Sequence, residues 1–523
     1  MRNSRKTFIA ILLSCTFGFA NAQEAIDIFN ISQTSRSFST ARSAAMGGAF
    51  TALGADGASA AINPAGIGMY KANDFSVTGS LLFSKVNSTT SGSLGQYYTY
   101  DKSTTTPLNN MSLVINLGNS NSGILRSANI GIVYNRTNDL SSQEYVSGHY
   151  EQNTILNMFG RQLYGISPSD ITSSDNNLYT PYSNQSSSLW GGMLAYNSGL
   201  LYSSYSSPTQ YTPSVNNAGT LFEGDEIYPE MTRKTMGYTG DYGFTAGFNI
   251  LDKVYVGTTL SAMKYQYSLV NRYSEYSNLN VNVGDLDVFD YIQTLNVTGS
   301  GFSFKVGAIA EVIDGLKIGI AAHAPTIYNI KEEYYADMYS YYMTDPTYLY
   351  AGTPYLLGEY RMVTAPKLLL GASYTYANTF IFSFDWERTY YNKMRVTDGF
   401  SYDDKMYIND QITSTYKASN SIRAGIEARL TSNFYARGGY AHYSNPYCDG
   451  YSDEDAWRNI SGGIGYKAGS LYLDLTFVNM KNVASSKYFY SDTFSDGTTI
   501  QSDQTYVNTY IYNSLMTTIG FRF

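Results

Sequence analysis

The sequence is poor in the residues that build disulfides, metal centres and charged surfaces. Of its 523 residues, two are cysteine and three are histidine. Charged residues make up 15%, whereas an average soluble domain has about 25%. Neither a disulfide framework nor a metal or haem centre held by several histidines is supported, so no metal or other cofactor is expected. The formal net charge of −8 offers no basic patch to nucleic acid.

Long apolar runs are also missing, except at the start of the chain. Residues 1–22 have a basic beginning, an apolar run from Thr7 to Ala20 and small residues before Gln23, which predicts a signal peptide. Cys15, preceded by Leu-Leu-Ser, loosely resembles a lipoprotein acylation site and gives an alternative interpretation of this leader. Beyond it no run of about 18 apolar residues occurs, which argues against a helical membrane protein.

The chain does contain 52 tyrosines, 46 glycines and many segments of alternating hydrophobicity. From Phe302 to Val312 the even positions are apolar, while the odd positions include Ser303, Lys305 and Glu311. Such alternation predicts strands with one apolar and one polar face. Lipid-facing strands show this pattern, but so do those of a secreted soluble β-protein, so the alternation does not separate the two.

The connections between these segments favour the membrane alternative. Short turns are predicted near residues 251–253, 314–315, 377–378, 431–433 and 468–470. Long polar loops are predicted over residues 277–290, 341–354, 397–415, 444–455 and 485–507. Short turns at one end and long loops at the other are typical of outer-membrane barrels, and an alternating strand ends the chain at Phe523. The sequence therefore predicts an all-β fold, a transmembrane antiparallel β-barrel of about 14 strands over residues 74–523 in the bacterial outer membrane.

A glycine- and alanine-rich segment with few charges precedes the first strand. Its residues RSAAMGGAF and ALGADGASAAINPAG resemble the N-terminal hatch of the FadL/TodX family of outer-membrane transporters for hydrophobic molecules. The resemblance implies that residues 23–73 form a small hatch that plugs the barrel lumen. Asn63, Pro64 and Ala65, the most recognisable part of the motif, are assigned to ligand binding on this basis.

Residues 139–230 interrupt the rhythm of strands and are interpreted as an extracellular insertion. Apolar residues recur at helical spacing from Ile155 to Leu163 and from Trp190 to Leu201, which predicts two short amphipathic helices. These helices either pack on each other to cap the barrel or form an apolar landing surface. In the second case Phe159 and Trp190 contact the ligand, as the long outer loops do in the FadL family.

Charged side chains are predicted to face the lumen in a mixed set. Its members are Lys305, Glu311, Lys367, Asp385, Glu387, Arg423, Glu427, Arg429, Arg437, Lys467, Asp474 and Arg522. Because unpaired charges in a partly dry lumen are costly, most are expected to pair with each other or with the hatch. If a fatty-acid carboxylate binds inside, the guanidinium of Arg423, Arg429 or Arg437 is its natural partner.

The function that the resemblance implies is uptake of hydrophobic molecules such as long-chain fatty acids. They would be captured on the extracellular loops, bound in the lumen and released after the hatch shifts, through a gap in the wall. The chain is expected to be a monomer embedded in outer-membrane lipid, and not an enzyme. The alternatives are a barrel of the same family whose outer loops dock a protein partner for secretion or surface assembly, and a general porin.

Overall fold

The structure is a computed structural model that describes residues 25–33, 39–92, 95–119, 123–149, 153–174, 179–203, 207–213, 226–278, 286–342, 345–448, 456–484 and 486–523. The signal peptide predicted over residues 1–22 lies outside these residues. Among the described residues, no helix is both long and apolar enough to cross a membrane.

Strands dominate the described chain. In the first half they are β1 (Asp74–Gly92), β2 (Gly95–Thr105), β3 (Leu108–Asn119), β4 (Leu125–Asp139), β5 (Ser142–Ser147), β6 (Leu201–Ser203), β7 (Tyr211–Pro213), β8 (Glu226–Ile250), β9 (Val254–Asn278) and β10 (Leu286–Ile313). They continue as β11 (Leu316–His323), β12 (Ile327–Tyr342), β13 (Asp345–Gly352), β14 (Leu356–Val363), β15 (Lys367–Tyr376), β16 (Phe380–Tyr390), β17 (Arg395–Asp398) and β18 (Ala418–Arg429). The last are β19 (Phe434–Tyr443), β20 (Trp457–Ala468), β21 (Leu471–Val483), β22 (Lys487–Tyr488), β23 (Ser491–Thr493), β24 (Thr499–Gln501) and β25 (Thr505–Arg522).

Helices lie in the N-terminal segment, in the insertion and in one later connection. They are α1 (Ala25–Ser32), α2 (Ala41–Ala45), α3 (Ser59–Ile62), α4 (Ile155–Gln162), α5 (Pro168–Ile171), α6 (Thr180–Asn184), α7 (Trp190–Asn197) and α8 (Tyr402–Thr415). Three short 3-10 helices accompany them, over Pro64–Met69, Ser187–Leu189 and Tyr391–Lys393.

The strands form a closed antiparallel barrel. Successive strands pair as neighbours, and β1 then pairs with β25 from Asp74 opposite Arg522 to Ser91 opposite Thr505. Six wall positions are built from consecutive pieces of chain: β2 with β3, β4 with β5, β11 with β12, β13 with β14 and β15, β16 with β17, and β21 with β22. Counted this way over the described residues, the wall has 14 strands, which confirms the predicted fold class.

The strands extend much farther beyond the membrane at one end of the barrel than at the other. At one end, three-residue turns join β8 to β9 and β15 to β16, with Leu251, Asp252, Ala377 and Asn378 at positive φ. At the other end β8, β9 and β10 reach 25, 25 and 28 residues, more than twice the ~10 residues that cross a bilayer. The short-turn end is therefore periplasmic, and the tall hairpins project outside the cell.

A belt of apolar side chains covers the outside of the wall. Phe302, Phe382, Ile460 and Phe477 are each between 47% and 63% exposed, which in water would be unfavourable for so many large side chains. In a bilayer this belt meets acyl chains. The chain is an outer-membrane β-barrel.

Some long loops predicted from the sequence contain regular structure. The predicted loop 397–415 holds the 14-residue helix α8, and the predicted loop 341–354 holds β13. β9 and β10 extend into the predicted loop 277–290 from its two ends and cover half of it; its residues 279–285 lie outside the described chain. These parts of the chain extend past the membrane. Their strands therefore need no lipid-facing apolar side, and the sequence shows no apolar alternation there.

Candidate functional site

The N-terminal segment, residues 39–73, lies inside the periplasmic half of the barrel. Its side chains are small and buried: Ala44, Phe50 and Ala65 are all fully inaccessible to solvent. Thr40 begins α2 by accepting a hydrogen bond from the Ser43 amide, and its hydroxyl donates to the Asp56 carboxylate at 2.8 Å. Short helices and tight turns let this segment fold compactly within the lumen.

Asn63, Pro64 and Ala65 fix the segment to the wall. The Asn63 Oδ1 atom accepts from the Ala65 amide at 3.1 Å and so caps the 3-10 helix that begins at Pro64. Its Nδ2 atom donates to the Thr51 carbonyl at 2.7 Å, and it lies 3.3 Å from the carbonyls of Ala308 and Ile320 in the wall. These contacts explain the motif structurally, and ligand binding by these three residues stays a prediction.

Glycines on the inner wall let the segment approach the strands closely. We call Gly247, Gly257, Gly307, Gly319, Gly371, Gly425, Gly439 and Gly463 the glycine belt. A Cβ atom on Gly257 would lie 2.2 Å from the Pro64 carbonyl oxygen, and one on Gly439 would lie 2.1 Å from the Gly47 nitrogen. Only glycine leaves room for main chain to pack directly on main chain in this way. This set was not predicted from the sequence, although glycines at inward-facing strand positions were its visible signal.

Polar side chains of the wall bind the same segment. The Asp385 Oδ2 atom accepts from the amides of Phe50 and Thr51, at 2.7 and 2.8 Å, and from the Thr51 hydroxyl at 2.7 Å. On β4 the Asn129 side chain donates to the Ile67 carbonyl at 3.0 Å, and on β11 the His323 Nε2 atom lies 2.9 Å from the Ile62 carbonyl. The segment is thus hydrogen-bonded to several sides of the barrel.

The charged lumen residues form ion pairs with each other and with the segment. Arg42 binds both carboxylate oxygens of Glu427, at 2.9 and 3.1 Å. Burial alone would lower the pKa of Arg42, but the charge and hydrogen bond of Glu427 raise it above its ordinary value. Arg437 joins Glu427 to Asp474, 2.5 Å from an oxygen of each.

Of the three arginines proposed to hold a carboxylate, two already have protein carboxylates as partners. Arg437 has the two partners just described, and Arg423 pairs with Glu387, which also lies 3.5 Å from the Lys367 amine. Arg429 is exposed at the periplasmic end, and its Nε atom donates to the Thr431 carbonyl at 3.3 Å. A role of these arginines in ligand binding remains a prediction.

The extracellular half of the lumen holds a large apolar cluster, with buried polar side chains such as Glu275 beside it. Helices α4 and α7 pack on each other there, and a Cβ atom on Gly192 would lie 2.7 Å from the Phe159 carbonyl oxygen. Phe159 is fully buried, with its ring 5.4 Å from that of Tyr291 on β10. Trp190 is 5% exposed, and its indole nitrogen donates to the Tyr182 carbonyl at 3.2 Å. Both residues predicted to contact ligand are thus part of a packed cap.

Helix α1 crosses the lumen beneath this cap. The Phe29 ring stacks on Tyr416 with centroids 4.8 Å apart and contacts Tyr391 at 5.0 Å. On one side the Ser32 hydroxyl accepts from the Ala365 amide at 2.9 Å. On the other side the Gln33 carbonyl accepts from the Asn138 side chain, also at 2.9 Å. The helix therefore links two walls of the barrel.

Near one end of α1 the strand ladder of the wall stops. β16 and β18 pair only up to Tyr390 opposite Ala418, and beyond this point β17 pairs with β14. Helix α8 occupies the space between β17 and β18, which we call the α8 seam. Its Ile408 and Ile412 are buried in the apolar cluster that contains Phe29, whereas Tyr407 is 57% exposed. A path across this seam would be lined by apolar side chains.

A second gap lies between β2 and β5, and we call it the β2–β5 seam. The ladder of β3 and β4 ends at Asn110 opposite Asn135. Above it, the Thr99 hydroxyl donates to the Tyr145 carbonyl at 2.5 Å. The side chains of Asn110 and Asn135 are hydrogen-bonded to each other. This seam is polar where the α8 seam is apolar.

Several solved structures are similar to this chain over nearly its whole length. The Pseudomonas putida toluene transporter TodX has 11% sequence identity, with 94% of this chain and 99% of that chain covered and a TM-score of 0.49. A Pseudomonas aeruginosa FadL homologue has 11% identity, with 96% and 99% covered and a TM-score of 0.49. The Ralstonia pickettii toluene transporter TbuX has 14% identity, with 95% and 100% covered and a TM-score of 0.46. The chain is similar to these barrels.

The family named from residues of the N-terminal segment is the family of these structures. No family model matches the sequence, and no curated protein matches it either. The architecture itself rests on the strand pairing described above.

Proposed function

We propose that this barrel takes up hydrophobic molecules, such as long-chain fatty acids, across the outer membrane. The observation that carries the proposal is the large apolar cluster in the upper half of the lumen, above a lower half in which residues 39–73 are held by hydrogen bonds and ion pairs. An apolar molecule gains free energy by leaving water for the upper half. It gains nothing by crossing the hydrogen-bonded lower half, where it would displace polar contacts.

Capture is assigned to the cap formed by α4 and α7. Phe159 and Trp190 belong to one continuous apolar cluster with Phe29. We propose that the cap loosens to admit cargo, whose apolar surface then replaces the contacts between these side chains. The fixed wall aromatics behind the cap would keep the site apolar while the helices move.

For a fatty acid, the carboxylate needs a cationic partner. Arg423 is the best candidate. Its partner Glu387 lies on β16, which is followed directly by Tyr391 of the apolar cluster, and its guanidinium lies 5.5 Å from the Tyr443 ring centroid. The carboxylate of the cargo would replace the Glu387 carboxylate as the hydrogen-bond acceptor of Arg423. Arg437 has two carboxylate partners and Arg429 lies at the periplasmic end, so they are less suited to this role.

Release is proposed to be sideways, through the α8 seam into the outer membrane. The seam connects to the cluster around Phe29, and its buried residues Ile408 and Ile412 would keep cargo in apolar surroundings. The β2–β5 seam would expose cargo to amide side chains. In this proposal the predicted hatch, residues 23–73, acts through its helix α1, whose displacement uncovers the inner side of α8.

Uptake by purified barrel in proteoliposomes tests the proposal. A fluorescent long-chain fatty acid and a neutral aromatic hydrocarbon should both enter faster than in protein-free vesicles, and a polar sugar of similar size should not. Trp190→Ala should slow both apolar probes, whereas Tyr202→Ala, at an exposed aromatic of the same insertion, should not. Equal rates for the sugar would instead identify a general porin.

A docking function has one observation in its favour. On the hairpin of β12 and β13, Tyr339 stands opposite Tyr350 and Tyr341 opposite Tyr348. Their rings lie 5.0 and 5.9 Å apart, and Tyr348 and Tyr350 are about half exposed. Exposed tyrosines of this kind are frequent in protein interfaces. Normal uptake after substitution of Tyr348 and Tyr350 by serine, together with loss of surface assembly, would favour docking.

A further inference from the structure

Four cations form a row across five neighbouring strands on the outside of the barrel. They are Lys102 on β2, Lys85 on β1, Lys481 on β21 and Arg458 on β20. Lys85 stands directly opposite Lys102, and Arg458 directly opposite Lys481. The two pairs are joined through Ile511 on β25, the register partner of both Lys85 and Lys481. With strands about 4.8 Å apart, the row spans roughly 19 Å of the barrel circumference.

The row faces outward rather than into the lumen. Lys102, Lys481 and Arg458 are exposed, and Lys85 is half-buried. Tyr100 lies between the first two cations, with the amines of Lys85 and Lys102 at 5.4 and 5.3 Å from its ring centroid. The outward positions of these strands, in the part of the chain that the structure describes, carry no carboxylate.

This arrangement is unfavourable for the isolated protein. Like charges directly opposite each other on neighbouring strands destabilise a sheet, and here this occurs twice. The row does not reflect a generally basic protein, because the formal net charge is −8. An anion bound from outside would remove the repulsion, so the row has the character of a binding site.

The height of the row identifies where that anion would lie. Lys481 comes ten residues after Leu471 at the periplasmic turn, which places it about 25 Å above the turn for a strand tilted by ~40°. Phe83 and Ile460 lie two positions nearer the periplasm than Lys85 and Arg458, and they are 46% and 63% exposed in the apolar belt. Lys481 and Arg458, each ten residues from the periplasmic turn, therefore lie at the outer edge of the hydrocarbon layer. Because the row crosses tilted strands at right angles, Lys85 and Lys102 lie successively higher, on the lipid-headgroup side of this level.

We propose that Lys85, Lys102, Arg458 and Lys481 bind the phosphate groups of a phosphorylated glycolipid in the outer leaflet. Phosphates at this depth meet amines and a guanidinium that already face the lipid. The acyl chains of the same lipid then lie on Phe83 and Ile460. A lipid carrying two phosphates matches a row of cations better than a single free phosphate. Each basic residue near an anionic lipid surface contributes about 1 kcal/mol.

Binding of lipid to the purified full-length barrel in a non-ionic detergent tests this. The probes are diphosphoryl lipid A, its fully dephosphorylated form and inorganic phosphate. The variant K85Q/R458Q/K481Q should bind diphosphoryl lipid A on the order of a hundredfold more weakly than the parent. The matched control K264Q/R361Q/R388Q removes three outward cations from β9, β14 and β16 and lowers the formal net charge equally, and it should bind like the parent.

Three results would overturn the proposal: parent-like affinity in the row variant, equal affinity of the parent for the dephosphorylated lipid, or displacement of the lipid by inorganic phosphate at comparable concentration. Salt should weaken binding by the parent more than by the row variant. Heat-modified mobility on gels reports whether each variant is a folded barrel. Uptake of an apolar probe measures a separate property, so the proposed transport function and this lipid site succeed or fail independently.

Discussion

Asp385 shows how a single residue of the wall holds the N-terminal segment. It is fully buried, and one of its carboxylate oxygens accepts three hydrogen bonds from Phe50 and Thr51. A buried hydrogen bond to a charged group contributes about 1.5–3 kcal/mol, and donors left without an acceptor cost a similar amount. The position of the main chain near Thr51 against the wall should therefore depend strongly on the Asp385 side chain.

We expect Asp385→Ala to release this part of the segment while the barrel stays folded. Amide hydrogen exchange at Phe50 and Thr51, measured by mass spectrometry in detergent, should accelerate by roughly tenfold or more, since at least one charge-assisted bond is lost. Asp385→Asn keeps an acceptor oxygen and should restore most of the protection. Asp398→Ala, at an exposed position on β17, is the control, and unchanged exchange in Asp385→Ala would contradict the assignment.

The direction of lumen side chains could be predicted from the sequence, but their partners could not. Alternation along β16 and β18 places Glu387 and Arg423 on the inner face, as expected. Their pairing depends on how the two strands are offset, and that offset is set by the turns and by α8 rather than by any local pattern. The same limit applies to Asp385, whose acceptor role depends on main-chain amides more than 300 positions away.

At the scale of elements, the glycine belt controls how closely the segment approaches the wall. Gly257→Ala would place a methyl group 2.2 Å from the Pro64 carbonyl oxygen, and overpacking of this kind typically costs about 1–3 kcal/mol. The 3-10 helix from Pro64 should shift, and protease cleavage within residues 54–70 should become faster. Gly438→Ala is the matched control on β19, because its added atom would be 3.8 Å from the nearest neighbour. Equal cleavage of the two variants would contradict the close packing.

The role of α8 can be tested with the native Cys448. The Cys448 amide donates to the Thr415 carbonyl at 2.8 Å, and Tyr416 and Tyr447 form the adjacent bridge. Position 415 thus lies opposite position 448, within reach of a disulfide. Oxidised Thr415→Cys should fasten the end of α8 and reduce release of an apolar probe to a small fraction of its rate in the parent, and a reducing agent should restore it.

The double variant Thr415→Cys/Cys448→Ser cannot form this link and should release the probe at the parental rate under oxidising conditions. Full release by oxidised Thr415→Cys would place the exit elsewhere, with the β2–β5 seam as the next candidate. Helix α8 itself was not predicted from the sequence. Ile408 and Ile412 are its only buried apolar residues, too few for a helical period to be recognised in a polar loop.

At the scale of the whole molecule, the lumen contains two barriers in series. The lower one, residues 39–73, is bound to the wall by hydrogen bonds, ion pairs and the glycine belt. The upper one, α4 and α7 with their neighbours, is held mainly by apolar packing. The hatch was predicted from the resemblance of its glycine- and alanine-rich motifs to a known family, and the cap was predicted from apolar residues at helical spacing. The position of Phe29 in the lumen was not predicted from the sequence, since its short helix follows the predicted leader directly.

Because barriers in series block independently, removing one should leave ion flow low and removing both should raise it. We expect deletion of residues 39–70, or replacement of residues 153–213 by a short glycine-serine linker, to give little conductance in planar bilayers. The combined variant should conduct far more than the sum of the two. The wall is expected to survive each change, since β1 and β25 pair over 18 positions without using either segment. If one deletion alone conducted as well as the combination, the remaining segment would not seal the lumen, and uptake would be controlled at a single barrier.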